Sequence, residues 1–93
     1  MTNINEIPTN KGKIVEVNKT PLALFNNGGK LMAFSTTCTH QGCDIEWNDS
    51  ENTWDCPCHG SRYESTGNVI NGPAELPLNP IAIKIADDGT IQI

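Results

Sequence analysis

The chain gathers all four of its cysteines and both of its histidines into two short boxes. The first, "CTHQGC", runs from Cys38 to Cys43, and the second, "CPCHGSRY", from Cys56 to Tyr63. Soft and borderline donors fall as Cys38-x-His40, then fifteen residues, then Cys56-x-x-His59, with Cys43 and Cys58 one to a box. Short spacings let one loop bring two donors to the same small object, and two such loops offer four. The intervening residues include Asp49-Ser50-Glu51-Asn52, read as a hairpin turn between Ile45–Trp47 and Thr53–Asp55. The two boxes are therefore expected as opposing loops, and any fold for this chain must bring them together.

Ninety-three residues make one small domain, expected to span 1–93. A chain of that size with 37% hydrophobic residues buries a modest core, so a metal or a disulfide is a reasonable additional staple. The net charge of −5 and the absence of a Lys/Arg cluster argue against a nucleic-acid partner. No apolar run approaches the ~20 residues of a membrane span. The start, "MTNINEIPTNKGK", has no apolar h-region of a signal peptide. The chain is thus read as soluble, without a membrane segment, monomeric and cytoplasmic.

Strand signals dominate the rest. "KIVEVNK" (Lys13–Lys19) alternates; "PLALF" (Pro21–Phe25) and "KLMAF" (Lys30–Phe34) flank Asn26-Asn27-Gly28-Gly29 as a hairpin. "IAIKI" (Ile81–Ile85) places Ile81, Ile83 and Ile85 on one face, and "TIQI" (Thr90–Ile93) follows the turn Asp87-Asp88-Gly89. "STGNVINGPAELPLNP" (Ser65–Pro80) reads as turns and loop around one short strand near Asn68–Ile70. No stretch of helical period stands out. The expected class is all-β, with antiparallel strands at both ends and a loop-built site on that scaffold. Met32, Trp47 and Trp54 are read as core residues, and Arg62 is assigned no role.

Three objects suit the donors. One is zinc in a tetrahedral Cys₂His₂ site, a structural module; yet zinc fingers pair like with like, and each box here mixes the two types. A second is a pair of disulfides with incidental histidines, which leaves the likeness of the boxes unexplained. The third is an iron–sulfur cluster. "CTHQGC" and "CPCHGSRY" resemble the two boxes of Rieske proteins, Cys-x-His-x-x-Cys and Cys-x-Cys-His-Gly-Ser-x-Tyr. Rieske centres are themselves the standing example of two histidines replacing two cysteines on one iron. The likeness covers about residues 35 to 80, including "GNVINGPA" (Gly67–Ala74), which looks like the family's proline-containing loop over the cluster.

The resemblance implies a Rieske fold: an antiparallel β sandwich with a small cluster-binding subdomain at about 35–63. It implies one 2Fe–2S cluster per chain, with Cys38 and Cys56 on the inner iron and His40 and His59 on the outer. It implies a disulfide between Cys43 and Cys58. Ser61 and Tyr63 match positions that donate hydrogen bonds to cluster sulfurs and tune the potential. The cysteine pair, Ser61 and Tyr63 together look like the high-potential, cytochrome bc-like branch. Gln41 departs from that branch, being polar where bc-type proteins carry leucine, and so does the missing N-terminal membrane helix. The implied function is one-electron transfer to and from redox partner proteins, as a soluble ferredoxin or electron-transfer module. The alternative is a subunit or an excised domain of a larger oxidoreductase, such as the Rieske domains fused to flavin-dependent enzymes. No catalytic residue is assigned, since the chain by itself offers no substrate pocket.

Overall fold

The computed structural model describes residues 3–37, 43–58, 60–72 and 74–93. Among them there is no α-helix, only a turn of 3-10 helix at Ile4–Glu6, and no helix long and apolar enough to cross a membrane. That turn is closed by a capping box in which Asn3 accepts from Asn5 N–H and Glu6 accepts from the Asn3 N–H.

The first sheet is a meander of β1 (Gly12–Val17), β2 (Thr20–Asn27) and β3 (Lys30–Ser35), all antiparallel. Asn18 and Lys19 join β1 to β2 with φ of 51° and 65°, the left-handed pair that a two-residue hairpin needs. Gly28 and Gly29 join β2 to β3. The second sheet runs in sequence order: β4 (Glu46–Asn48), β5 (Thr53–Asp55), β6 (Arg62–Glu64) and β7 (Val69–Asn71). A last hairpin pairs β8 (Lys84–Ile85) with β9 (Ile91–Gln92).

Strand β2 is buried on both faces. Leu22 and Leu24 point to one side, into a cluster with Ile7, Val17, Ala33 and Ile91. Ala23 and Phe25 point to the other, against Phe34, Ile45, Trp54, Tyr63, Ala74 and Leu78. The unbroken apolar run "LALF" records that double burial, because alternation appears only where one face meets water. Strand β3 repeats it: Leu31 and Ala33 serve the first cluster, Met32 and Phe34 the second.

The expected segments hold with shifts of a residue or two, except at Ile81–Ile85. There the strand begins only at Lys84. Pro80 instead bridges to Phe34, and Ile81 N–H donates to Ala33 O at 2.9 Å. Ile81 and Ile83 pack on the first cluster, while Ile85 is 42% exposed, so the three isoleucines do not form one buried face. Expected strand Ile45–Trp47 appears one residue later, with Ile45 buried just before it. The strand expected near Asn68–Ile70 is β7, and the second sheet reaches Asn71.

Aromatic rings join the two sheets. Trp47 lies 5.9 Å from Phe25 and 4.8 Å, edge-on, from Trp54, which is fully buried. The Trp47 ring also covers Gly12, where a Cβ would sit 2.5 Å from the ring. Its indole N–H donates to Asp49, and that bond, with Lys11 alongside, holds the Asp49 carboxyl below the usual carboxylate range. Because the ring is held from several sides, Gly12→Ala is expected to lose about 1–3 kcal/mol, the usual cost of overpacking. Denaturation followed by tryptophan fluorescence measures this, and unchanged stability would show that the ring swings clear.

Candidate metal centre

The second box is the connection between β5 and β6. Their ladder ends at the pair Asp55 and Arg62. Cys56 N–H then donates to Ser61 O at 2.8 Å, and Gly60 N–H to Cys56 O at 3.1 Å, drawing the loop into a tight arch. Gly60 carries the turn at φ +79°, a conformation costly for any residue with a Cβ. The arch splits the two cysteines. Cys56 is 3% exposed and belongs to the core beside Trp54 and Tyr63, while Cys58 is exposed at the surface.

The first box is held by its ends. Thr37 bridges to Asp44, and Ile45 N–H donates to Thr36 O at 2.8 Å. Cys38, His40 and Gln41 of this box, together with His59 of the second and Pro73 of the third loop, lie outside the described residues. Cys43 is described, and it joins Cys58 in a disulfide with Cα atoms 6.5 Å apart. The pairing expected from the resemblance is present, and it ties the two loops to each other across fifteen residues of sequence. The Sγ atoms of Cys43, Cys56 and Cys58 all lie within 4.8 Å of one another.

A third segment closes over the second box. The Ala74 N–H donates to Ser61 Oγ at 3.0 Å, and both residues are buried. Leu78 N–H donates to Gly67 O, and Ser35 N–H to Asn79 O, anchoring the far end of the same loop. Ser61 is thus fixed from outside the hairpin: its oxygen accepts from the loop, which leaves its own O–H to donate elsewhere. Tyr63 is wholly buried two residues on, opposite Trp54 in the ladder.

Arg62, given no role from the sequence, braces the hairpin that carries the second box. Its Nε donates to Asp55 Oδ1 and its guanidinium to Thr53 Oγ1, each at 3.2 Å, and it forms an ion pair with Glu51. Asn48 donates to Asp55 Oδ2 at 2.9 Å from the neighbouring strand. At about one-third side-chain exposure the Arg62–Asp55 pair is worth at most ~1 kcal/mol, and its use is to fix register at the root of the loop. The brace becomes visible only once the ladder sets Asp55 opposite Arg62.

The donor chemistry suits a 2Fe–2S cluster with mixed ligands. The disulfide removes Cys43 and Cys58 as thiolate donors. Cys56 lies outside it, in a dry apolar wall, where a thiolate is accepted only with a cation or a metal beside it.

Comparison with known proteins agrees. The chain is 42% identical over 87 residues to the cytochrome b6-f complex iron-sulfur subunit of Chlorobaculum thiosulfatiphilum, a match covering 94% of this chain and 48% of that protein. It is 51% identical over 77 residues to YhfW of Bacillus subtilis (strain 168), whose name carries the words Rieske 2Fe-2S iron-sulfur protein. That match covers 82% of this chain and 15% of the other. The chain therefore spans about half the length of one curated relative and a small part of the other. In three dimensions it resembles the plasma membrane Rieske protein PetC3 of Synechocystis PCC 6803, with a TM-score of 0.72 at 31% identity, covering 88% of this chain and 84% of that one. The model of the Rieske [2Fe-2S] domain matches residues 1–82 and leaves out only the terminal β8–β9 hairpin, so the chain belongs to that family.

Proposed function

We propose that this chain is a one-electron carrier whose 2Fe–2S cluster is held by Cys38, Cys56, His40 and His59. The observation that carries the ligand set is the Cys43–Cys58 disulfide, which leaves two thiolates and two imidazoles as the remaining soft and borderline donors. When bound, such a cluster supplies a single-electron couple, raised in potential because imidazoles replace two thiolates. The protein's part is to hold and to tune. The β5–β6 arch presents Cys56 inward, the disulfide keeps the two loops in register, and the core around Trp54 and Tyr63 keeps water from the cysteine side. The hydroxyls of Ser61 and Tyr63 donate to sulfur. In this reading the chain acts as a monomer in the cytoplasm and meets redox partner proteins there; sedimentation and cell fractionation are the checks.

A second reading has specific support. The chain corresponds to 48% of one relative and 15% of another, so the same fold serves as part of longer proteins. Here the carrier is a module of a larger oxidoreductase, and the parent enzyme supplies substrate and catalysis. Domain organisation beyond 1–93 separates the two, read from the gene and from the mass of the native protein.

Purified protein should contain two irons and two acid-labile sulfides per chain. His40→Ala or His59→Ala should lose the cluster, whereas Cys43→Ser should retain iron in a more fragile form. Iron analysis and visible absorbance report this; one zinc without sulfide ends the proposal, and loss of iron in Cys43→Ser as complete as in Cys38→Ser overturns the division of the cysteines.

The hydroxyl bonds lead to a prediction about potential. Reduction adds negative charge, so a donor bond to sulfur gains strength on reduction. Bonds to charged groups are worth ~1.5–3 kcal/mol against ~0.5–1.5 for neutral ones, a difference of about 1–2 kcal/mol between redox states. For one electron, ~59 mV corresponds to ~1.4 kcal/mol. Ser61→Ala and Tyr63→Phe should each lower the reduction potential by roughly 50–100 mV with the cluster intact. Voltammetry decides, and potentials equal to the parent's would place both hydroxyls out of reach of sulfur.

A further inference from the structure

Among the described residues, the sulfurs of Cys43, Cys56 and Cys58 sit within 4.8 Å of one another, and two of them form the disulfide. The third, Cys56, is a sulfur nucleophile, and the arch that buries it keeps it within 4.8 Å of both sulfurs of that bond. While a metal holds the Cys56 thiolate, its lone pairs are committed and the bond beside it is safe. We propose that loss of the cluster sets off an internal thiol–disulfide exchange, in which Cys56 takes Cys43 from Cys58. The inference rests on the ligand role given to Cys56 above.

The step needs no outside oxidant or reductant. The thiolate that the departing metal leaves on Cys56 is disfavoured in its apolar wall. It attacks Cys43 Sγ, a Cys43–Cys56 bond forms, the Cys43–Cys58 bond breaks, and Cys58 leaves as a thiolate that takes its proton from water. Among these three cysteines there is one disulfide and one sulfur outside it before and after, and Cys38 takes no part.

Burial decides which sulfur leaves. Attack on Cys43 puts the departing charge on Cys58, which is exposed and solvated. Attack on Cys58 would put it on Cys43, which is half-buried and packs against the core. Unpaired charge is disfavoured where water is excluded. Attack on Cys58 would also make a disulfide between cysteines separated only by Pro57, whose ring restricts the backbone that must close that small loop. Both considerations select Cys43–Cys56.

The consequence is a change of surface. A chain that keeps its cluster shows no thiol on the arch. A chain that has lost it carries an exposed thiol at Cys58, and its buried donor is capped. Reloading with iron and sulfide then requires a thiol reagent, which attacks the Cys43–Cys56 bond and sets the Cys56 thiolate free.

The test uses the intact protein with its cluster and the same protein after an iron chelator and gel filtration have removed iron and sulfide without air. Each is quenched in acid, alkylated with N-ethylmaleimide in denaturant, digested without reductant and mapped by mass spectrometry. The loaded protein should give the Cys43–Cys58 pair. The stripped protein should give Cys43–Cys56, with the label moved onto Cys58. Stripped protein that keeps Cys43–Cys58 and labels Cys56 overturns the proposal. So do pairs involving Cys38, or a Cys56–Cys58 pair, since these mark scrambling in an unfolded chain. Cys56→Ser provides the second arm: its chelator-treated form should keep Cys43–Cys58, because the nucleophile is gone, and exchange there would also sink the idea. Failure of the ligand assignment looks different. Then Cys56→Ser would retain its iron, and the Cys43–Cys56 pair would already be present in the loaded protein.

Discussion

The two-sided burial of β2 is the constraint on which the other elements depend. A middle strand with apolar residues on both faces must be covered twice. One cover is the N-terminal turn with Ile7 and the strand that carries Ile91; the other is the four-stranded sheet with Trp54 and Tyr63. Asn26 shows how closely the first cover is tied: its side chain donates to Ile7 O at 2.9 Å and accepts from Gly29 N–H at 2.8 Å, satisfying a buried amide at the end of the strand. With ~25 cal/mol for each Å² of apolar surface removed from water, such layering extracts more from a short chain than one core with one buried face per strand.

The candidate centre grows from the second cover. Strands β4 to β7 are only three residues each, too short to stand alone as a sheet. They are held by their inner face against β2 and β3 and by the disulfide at the loop end. In the chain-entropy model, a cross-link closing about fifteen residues is worth ~3 kcal/mol. The polar brace of Arg62, Asp55, Thr53 and Asn48 sits at the root of the arch, and Ala74 meets Ser61 from the third loop. Three loops are thereby clamped to each other by one covalent bond and a few hydrogen bonds, while the scaffold beneath supplies the rigidity.

Much of this was legible in the sequence, for reasons that can be named. Paired boxes at fixed offsets identify a common object, and Gly28-Gly29 marks its hairpin unaided. The alternation of Ile81, Ile83 and Ile85 was misleading because alternation reports a face and says nothing about a partner. In the fold Pro80 and Ile81 meet β3, and pairing with β9 starts only at Lys84. The capping box of Asn3 and Glu6 was overlooked because three residues of 3-10 helix carry no hydrophobic period. The Asn18-Lys19 turn was hidden for a related reason: lysine at positive φ runs against the usual turn vocabulary, and the strands on either side impose it. The part played by Arg62 required the ladder register, which composition does not contain.

Register also explains why the two cysteines of the second box differ in character. Cys56 follows directly on β5, where its N–H is still bonded to Ser61 O as if the ladder had gone one step further. Its side chain therefore continues the alternation of the strand and falls on the face of Trp54, toward the core. Pro57 then ends the ladder, since it has no N–H to give. Beyond it the chain is free of the sheet, and Cys58 reaches the surface, where it meets Cys43. One proline between two cysteines thus separates a buried cysteine from an exposed staple. Moving that break by a single residue would turn Cys56 away from the core, because each step along a strand reverses the face. The spacing Cys-Pro-Cys encodes a division of labour that the cysteines' identity alone does not.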